Sequence, residues 1–350
     1  MPDSRSGAPG AESEPLLEVR GLVKHFQQAR ALKAGRARRT VKAVDGIDLS
    51  LFRGKTHGLV GESGSGKSTA GLTTLRIHQA TSGMALFNGR DLFKLSEKEM
   101  REARRELQII FQNPLASVDP RKPVRWIISE PWLAHGMYDR RERSRRVDEL
   151  LLQVGLKTEH ADRLPSDFSG GQLQRIGIAR ALALDPSLIV CDEPVSALDV
   201  SIQAQIINLL AEAQRRRGLS YLFITHDLAV ARYFSDTISV MYLGKILEQG
   251  PSEEVFETPA HPYTQVLLSS IPDPDQVGSG RERITLHGAI PTAADPPSGC
   301  GFRTRCWKAE SICSSHVPEL IDRGQGHPVA CHFPGSSPAS FRPTGETGRT

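Results

Sequence analysis

The sequence predicts an α/β fold built on a largely parallel sheet. Short apolar runs alternate along the chain with segments of helical spacing, which is the pattern of such a fold. A glycine-rich loop follows one apolar run and opens a helical segment, and two carboxylates end another run. At 350 residues the chain is long enough for one large domain with an appendage.

Four apolar runs are predicted to be buried strands, and the last two are joined by a helix. The runs are THGLV (56–60), LQIIF (107–111), LIVCD (188–192) and YLFIT (221–225). Apolar residues recur at helical spacing from Ile202 to Ala213, and Gly218 is a candidate C-terminal cap for this helix. Strand, helix and strand in this order indicate a crossover unit of a parallel sheet.

The composition is that of a folded globular protein, with 39% hydrophobic and 24% charged residues. We find no apolar run of about 18 residues or more that could span a bilayer, and residues 1–14 lack the apolar core of a secretory signal. We therefore expect a cytoplasmic protein with a disordered tail at residues 1–15. The net charge of +4 is modest.

Arginine-rich runs occur at three places, and we interpret them as solvated faces. No aromatic residues interleave the charges, which argues against nucleic-acid binding. The runs are Arg36, Arg38 and Arg39, then Arg140, Arg141, Arg143, Arg145 and Arg146, and then Arg215, Arg216 and Arg217.

The segment GESGSGKS, residues 61–68, matches the phosphate-loop pattern G-x-x-x-x-G-K-[ST]. Gly64 and Gly66 let the backbone curl so that its N–H groups point at phosphate oxygens, and the helix start adds positive potential. Lys67 is expected to reach the β and γ phosphates of a nucleotide, and the Ser68 hydroxyl is expected to hold Mg²⁺.

The segment LIVCDEP, residues 188–194, ends a buried strand with two adjacent carboxylates. Because side chains alternate across a strand, Asp192 and Glu193 are predicted to point in different directions and to do different work. Asp192 suits the Mg²⁺ shell, through water. Glu193 is our candidate general base for the water that attacks the γ phosphate.

With DFSGGQ at residues 167–172 beside these two patterns, the chain resembles the ATP-binding subunit of an ABC transporter. The resemblance spans roughly residues 16–260. It implies a P-loop NTPase cassette with a RecA-like core, a β-subdomain and a helical subdomain at about 113–170, where the sequence also indicates a mainly helical insertion. Phe168 stands where the family commonly has Leu, and we expect little consequence.

The resemblance also assigns residues to the ATP site. Phe26 matches the aromatic that stacks on adenine, and Gln112 in IIFQNP matches the glutamine that senses Mg²⁺. His226 in ITHD matches the histidine that contacts the γ phosphate, which adds it to Glu193 and Lys67 as a catalytic residue. The ATP-binding set is Phe26, Gly61, Glu62, Ser63, Gly64, Ser65, Gly66, Lys67, Ser68, Thr69 and Gln112, with Ser68, Gln112 and Asp192 for Mg²⁺.

In this family two ATPase subunits pack head to tail, and each ATP lies between one subunit's phosphate loop and the partner's signature. The resemblance implies that Ser169, Gly170, Gly171 and Gln172 contact the nucleotide of the other subunit. Asp199, in the SALD loop at 196–199, is assigned to the same interface.

The segment EVFETPAHPYTQVLLSSIPDP (254–274), followed by GCGFRTRC, resembles the C-terminal extension of oligopeptide and dipeptide importer ATPases. The resemblance implies two transmembrane permeases, a second ATPase in a homo- or heterodimer and an extracytoplasmic peptide-binding protein. It places the chain at the cytoplasmic face of the inner membrane, as a peripheral subunit with no nucleic-acid partner. NPLASVDPRKPV (113–124) is assigned to the permease contact.

Alternatives to a peptide importer remain open. A nickel or other small-solute importer belongs to the same branch, and a soluble ABC ATPase acting on nucleic acid is a less favoured alternative. We discount a catalytically weak regulatory subunit, because every signature is intact.

Cys300, Cys306, Cys313 and Cys331 form a group near the C-terminus, whereas Cys191 lies in an apolar strand and is expected to be inert. A reducing cytosol argues against disulfides. Neither C-x₅-C nor C-x₆-C has the close spacing common in zinc sites, so we favour an iron–sulfur cluster, with zinc as the alternative. The resemblance also points to [4Fe–4S].

The predicted organisation of the chain has four parts. They are a tail at 1–15, the ATPase domain at 16–260, the extension with the four cysteines at 261–335, and a second tail at 336–350. Within the extension, the Pro- and Gly-rich residues 271–299 are expected to form an irregular linker.

Overall fold

The computed structural model describes residues 14–27, 40–115, 118–270, 284, 286 and 291–335. Their strands form two sheets flanked by helices. The strands are β1 Leu17–Gln27, β2 Thr40–Leu51, β3 Thr56–Val60, β4 Ser82–Phe87, β5 Arg90–Asp91, β6 Leu107–Ile110, β7 Leu188–Asp192, β8 Ser220–Thr225, β9 Thr237–Tyr242 and β10 Lys245–Pro251. The helices are α1 Lys67–Thr74, α2 Glu97–Glu106, α3 Val124–Ala134, α4 Arg140–Gln153, α5 Gly170–Leu182, α6 Val200–Arg217, α7 Leu228–Phe234, α8 Ser252–Glu257, α9 Pro262–Ser269 and α10 Ile312–Ser315.

The larger sheet has six strands in the order β10-β9-β3-β8-β7-β6. Strands β9, β3, β8, β7 and β6 run parallel, and β10 pairs antiparallel with β9. Every residue of β3, β7 and β8 is buried, because helices cover both faces of a parallel sheet. The prediction of an α/β fold is confirmed, and the four predicted strands are β3, β6, β7 and β8.

The helix predicted between β7 and β8 is α6. It ends at Gly218, whose φ of 67° is the left-handed conformation of a glycine C-terminal cap. Its buried face includes Ile206, Leu210 and Ala213, which repeat at helical spacing. The strand–helix–strand prediction is therefore confirmed.

A second sheet of four antiparallel strands, in the order β2-β1-β4-β5, packs beside the parallel sheet. The two sheets share an apolar cluster that includes Leu17 and Ile47 from the small sheet and Leu59 and Leu222 from the large one. Shared burial of this kind holds the small sheet against the core.

The described part of residues 113–168 is mainly helical, as predicted. It holds α3, α4 and two 3₁₀ segments, Thr158–Asp162 and Pro165–Asp167. Asp139 caps α4 by accepting a hydrogen bond from the Glu142 N–H at 2.8 Å. The indole of Trp132 in α3 donates to the Ala183 carbonyl at 2.7 Å and so ties this unit to the end of α5.

The described C-terminal residues 291–335 pack on the parallel sheet and share a core with it. Phe302 is fully buried, and its ring centroid lies 5.5 Å from those of Tyr242 and Tyr263. His327 Nε2 lies 2.6 Å from Glu248 Oε1, and both side chains are buried. Because these contacts bury aromatic and paired polar groups, residues 291–335 are anchored to β9, β10 and α9.

Several sequence predictions fall outside the described residues. These are the tail at 1–13, the arginines at 36–39, most of the expected linker at 271–290, and the tail at 336–350. Along the described ranges, no helix is both long and apolar enough to cross a membrane.

Candidate active site

The phosphate loop connects the end of β3 to the start of α1, and two of its glycines are required by close packing. Gly61 and Gly66 have φ of 151° and 108°. A Cβ on Gly61 would lie 2.1 Å from the Met241 carbonyl oxygen, and one on Gly66 would lie 2.0 Å from that of Ala43. Only glycine fits both positions, so the loop is held in one conformation against β2 and β9.

Lys67 is buried at the base of this loop, and its ammonium group donates to the carbonyls of Gly61 and Glu62 at 2.8 and 2.9 Å. Burial lowers the pKa of Lys67, although the nearby Glu193 and Asp192 oppose this shift. No side chain among the described residues caps the start of α1. The first N–H groups of α1 are therefore available to an anion.

Ser68 and Asp192 meet where α1 begins and β7 ends. The Ser68 hydroxyl donates to Asp192 Oδ1 at 2.6 Å. Asp192 is only 7% exposed, and burial raises the pKa of its carboxyl group. A hydroxyl and a carboxylate beside a phosphate loop are the ligands that Mg²⁺ uses together with nucleotide phosphates, so this pair fits the ion.

Glu193 turns away from Asp192 and contacts a different set of groups. Its Oε2 accepts from Gln112 Nε2 at 2.9 Å and lies 3.2 Å from His226 Nδ1. Glu193 has a φ of 46°, an uncommon backbone conformation that is concentrated at functional sites. The two carboxylates thus contact different groups, as predicted, and of the two only Glu193 contacts a glutamine and a histidine. Strand alternation is not the cause, because Glu193 lies just past the end of β7 and has a left-handed backbone.

Gln112 was also predicted to bind Mg²⁺. Its amide instead donates to Glu193 and, at 3.3 Å, to the Ser196 hydroxyl. A role for Gln112 at the metal stays a prediction.

Phe26, the expected adenine contact, lies on β1 and is 37% exposed. The Lys24 ammonium group is 4.7 Å from its ring centroid, and the His78 ring meets it edge-on with centroids 5.8 Å apart. An exposed aromatic ring is free to stack on a base. The remaining predicted ATP-binding positions, Ser63, Gly64, Ser65 and Thr69, lie along the loop and the first turn of α1.

The signature residues start α5 and face outward. Ser169 and Gly170 are exposed. The Ser169 hydroxyl accepts from the Gln172 N–H at 3.4 Å, and the Gln172 side chain accepts from the Ser169 N–H at 3.0 Å. In the described chain, no hydrogen bond or ion pair joins them to the phosphate loop. Asp199, also exposed, stands at the start of α6.

The four C-terminal cysteines, Cys300, Cys306, Cys313 and Cys331, line one cavity. The N–H groups of Lys308 and Phe333 donate to the sulfurs of Cys306 and Cys331, each at 3.4 Å. Burial raises the pKa of Cys331 to about 11 and also raises those of Cys300 and Cys306.

Within the described ranges, no group of three or more His, Cys, Asp or Glu side chains is arranged to hold a metal ion. Neither the predicted iron–sulfur cluster nor its zinc alternative is supported by a preformed metal site. Cys191 lies fully buried in β7, where burial raises the pKa of its thiol strongly, in agreement with an inert group.

Two residues beside the phosphate loop were missed by sequence reasoning. The Glu62 N–H donates to the Tyr263 hydroxyl at 2.8 Å, and Arg305 Nη1 lies 3.2 Å from Glu62 Oε2. Tyr263 lies in the segment 254–274, which the sequence analysis used only as evidence of family resemblance. No sequence pattern links Arg305 to a residue 243 positions away.

Comparisons with known proteins agree with this geometry. The family model described as "ABC transporter" matches residues 44–196, and that described as "Oligopeptide/dipeptide transporter, C-terminal region" matches residues 247–313. The chain is 52% identical to the oligopeptide transport ATP-binding protein AppF of Bacillus subtilis (strain 168), over 92% of this chain and 98% of that protein. It is 46% identical to the dipeptide transport ATP-binding protein DppF of Escherichia coli (strain K12), over 91% of this chain and 94% of that protein.

Two solved structures are similar in fold. The first is the ATP-binding cassette MJ0796 bound to ADP and Pi, described as a dimeric post-hydrolysis state. It has a TM-score of 0.60 and 27% identity over 67% of this chain and 98% of that one. The second is cbiO1 of Clostridium perfringens, with a TM-score of 0.58 and 26% identity over 70% of this chain and 91% of that one.

Proposed function

Because this chain belongs to the ABC transporter family and hydrolyses ATP, we propose that it energises an importer for dipeptides or oligopeptides. One observation supports placing ATP hydrolysis at the edge of the parallel sheet. The Ser68–Asp192 pair and the Glu193–His226 pair both lie at the carboxyl ends of parallel strands, beside the phosphate loop. Ligands bind at this edge in open α/β sheets.

The residues of the chain divide the work of hydrolysis between them. The loop N–H groups and Lys67 bind the phosphates, while Ser68 and Asp192 would hold Mg²⁺. When bound, the ion neutralises charge between the β and γ phosphates. Glu193 accepts a proton from water as the water oxygen bonds to the γ phosphorus and the bond to the bridging oxygen breaks, giving ADP and phosphate.

His226 and Gln112 position the Glu193 carboxylate for this step. Both contact the same oxygen, Oε2, so they fix the direction in which the base points. A general base contributes typically 10²- to 10⁴-fold to the rate when it is held within hydrogen-bond reach.

We propose that a second ATPase subunit supplies the other half of each site, through its own signature and SALD-loop residues. The outward-facing helix start at Ser169, with Gly170, Gly171, Gln172 and the exposed Asp199, supports this arrangement. A solved cassette of similar fold is described as dimeric. A helix N-terminus favours an anion by roughly 0.3–1 kcal/mol at a surface and by more when it is enclosed.

We propose peptide as the cargo because the named relatives are oligopeptide and dipeptide transport proteins and the C-terminal family model matches the extension. The partners would be two transmembrane permeases and an extracytoplasmic peptide-binding protein. The chain would then lie peripherally at the cytoplasmic face of the inner membrane. Residues 113–124 remain our candidate for the permease contact, and the division at 16–260 and 261–335 remains our proposed domain boundary.

The arginine runs do not favour the nucleic-acid alternative. On α4, Arg145 and Arg146 are ion-paired with Glu142, and on α6, Arg215 and Arg216 are ion-paired with Glu212. Acidic partners on the same helix reduce the positive potential that phosphate backbones require.

Reconstitution tests the proposed cargo. We would co-express the chain with its permeases and second ATPase, purify the complex from membranes and measure ATP hydrolysis in vesicles with the binding protein. Trialanine is expected to stimulate hydrolysis and to accumulate inside, whereas Ni²⁺ is not. Stimulation by Ni²⁺ alone would favour the nickel alternative, and the complex carrying Glu193→Gln serves as the inactive control.

We further propose that the four cysteines of the extension hold an iron–sulfur cluster, with zinc as the alternative. The four cysteines line one cavity, and N–H groups are directed at two of their sulfurs, but the described residues do not form a preformed metal site. The spacings C-x₅-C and C-x₆-C lack the close cysteine pairs common in zinc sites, whereas a cluster holds its irons with separated cysteines. The cluster would cross-link and stabilise a segment that is too small to form a hydrophobic core of its own.

Anaerobic purification tests the cluster directly. The protein is expected to show visible absorbance and to contain iron, and Cys306→Ser is expected to remove both. Cys191→Ala, which changes a buried thiol in β7, is the matched control and should keep them. A colourless wild-type protein with stoichiometric zinc would overturn the cluster.

A further inference from the structure

Glu62 is the single acidic residue of the phosphate loop GESGSGKS, and it is held by the extension. Arg305 Nη1 lies 3.2 Å from Glu62 Oε2 and 3.5 Å from Oε1. The Arg305 side chain is 7% exposed and that of Glu62 is 30% exposed. Partial burial makes this pair less screened by solvent than the surface pairs of α4.

The backbone of Glu62 is held from the same side. Its N–H donates to the hydroxyl of Tyr263 at 2.8 Å, and Tyr263 is fully buried. The Tyr263 ring packs against Tyr242 and Phe302, with centroid distances of 4.7 and 5.5 Å. A packed ring cannot follow a displaced loop, so the hydroxyl is a fixed point for the Glu62 peptide.

Glu62 connects this anchor to the ATP site. Its carbonyl accepts from Lys67 Nζ at 2.9 Å, so the residue held by Tyr263 and Arg305 also contacts the lysine assigned to the phosphates. An unpaired carboxylate in a loop that receives a polyanion would repel it. In partly buried surroundings such repulsion is stronger than in water.

Arg305 is carried by the cysteine-bearing segment. It directly precedes Cys306 in the chain, and its N–H donates to the carbonyl of the buried Phe302 at 3.0 Å. Whether the Arg305 guanidinium stays in contact with Glu62 therefore depends on whether this segment keeps its folded structure.

We propose that Arg305 is a positioning residue for the phosphate loop: it neutralises Glu62 and thereby sets the affinity for ATP. A loss of structure in the cysteine-bearing segment would then lower the affinity of the phosphate loop for ATP. This inference rests on the proposed role of the loop in binding ATP, and it goes further by assigning control of that binding to the extension.

The test compares two arginines of the same segment in the full-length chain. Arg305→Ala is expected to raise the dissociation constant of a fluorescent ATP analogue with Mg²⁺ by about fivefold or more, in the usual range of coupling between sites. Arg303→Ala is the matched control, because Arg303 donates to the Ser298 carbonyl within the extension, at 2.8 Å. It should bind as the wild type does.

A double-mutant comparison of Arg305→Ala and Glu62→Gln tests whether Arg305 acts by neutralising the Glu62 charge or only by supporting the structure. If Arg305 acts by neutralising Glu62, Glu62→Gln removes the need for it, so adding Arg305→Ala to Glu62→Gln should change the dissociation constant less than twofold. In the assembled transporter, Arg305→Ala should raise KM for ATP and leave kcat close to that of the wild type. Thermal unfolding verifies that the variants are folded.

Arg305→Met, which keeps the buried stem of the side chain, replaces Arg305→Ala if the latter does not fold. Wild-type affinity for the ATP analogue in the folded Arg305 variant overturns the inference. So does an equal loss of affinity when Arg305 is changed in the wild-type chain and in the Glu62→Gln chain. A wild-type chain that does not bind the ATP analogue would defeat the proposed function as well, so the two failures are distinguishable.

Discussion

The phosphate loop and the signature are two glycine-containing helix starts with opposite surroundings. At the phosphate loop, Gly61 and Gly66 press against backbone carbonyls and Lys67 is buried. At the signature, Ser169 caps its own helix and is exposed together with Gly170. The phosphate loop is packed into the core of its own chain, whereas the signature faces away from that core. This contrast supports our proposal that the nucleotide site is divided between two chains.

The largest expected effect comes from Glu193→Gln, which leaves both helix starts intact. Hydrolysis should fall by about 10²- to 10⁴-fold because the general base is lost, while ATP stays bound and the dimer accumulates. ATP turnover with the partner ATPase and size-exclusion chromatography with ATP measure this. Glu212→Gln, on the exposed face of α6, is the control. Unchanged turnover in Glu193→Gln would contradict the assigned role.

Alanine at one glycine of each motif sharpens the comparison. Gly66→Ala should lower the unfolding free energy by about 1–3 kcal/mol through its backbone conformation alone. The close contact with the Ala43 carbonyl should lower it further. ATP binding should be lost. At Gly170 a Cβ would meet only Leu198 Cδ2, at 3.6 Å. Gly170→Ala should therefore fold and bind ATP normally. Denaturant unfolding and ATP titration test both, and equal destabilisation by the two changes would remove the contrast.

A smaller effect on ATP binding is expected at Phe26, our proposed adenine contact. Phe26→Ala should weaken ATP binding about 2- to 13-fold, because an aromatic contact contributes about 0.5–1.5 kcal/mol beyond its buried area. Phe26→Tyr keeps the ring and should bind as the wild type does. If both variants bind ATP equally well, Phe26 is not the adenine contact.

The smallest effect is expected for the cap of α5. Ser169→Ala should lower stability by about 1 kcal/mol through loss of the N-cap, and ATP binding by the isolated chain should not change. Ser169→Asn preserves a capping oxygen and should restore the stability measured by thermal unfolding. A loss of ATP affinity in the isolated Ser169→Ala chain would show that the signature serves its own chain's nucleotide.

The strands and motifs that the sequence predicted are those with local signals. Strands β3, β7 and β8 are continuous apolar runs, and the phosphate loop has a fixed spacing that determines its backbone shape. The strands β1, β2, β4 and β5 were not individually predicted, because their half-buried antiparallel pattern is weaker. Their pairing joins distant segments, such as Leu17 with Leu51 and with Phe87.

The contacts that sequence reasoning missed are those between distant parts of the chain. Tyr263 and Arg305 meet Glu62 only because the extension folds back over β9 and β10. The different contacts of Asp192 and Glu193 were predicted, but their cause was not, because Glu193 lies past the end of β7 with a φ of 46°. The hydrogen bond from the Gln112 amide to Glu193 was not predicted, because the sequence indicated only a role for Gln112 at Mg²⁺.

The most direct test of the divided site is ATP hydrolysis per chain, measured with wild type and Ser169→Arg. The account predicts that a dilute, monomeric wild-type chain binds ATP but hardly hydrolyses it. In the assembled transporter, Ser169→Arg should lower hydrolysis by at least half and leave ATP binding by its own chain unchanged. Full-rate hydrolysis by a dilute protomer, undiminished by Ser169→Arg, would contradict the account.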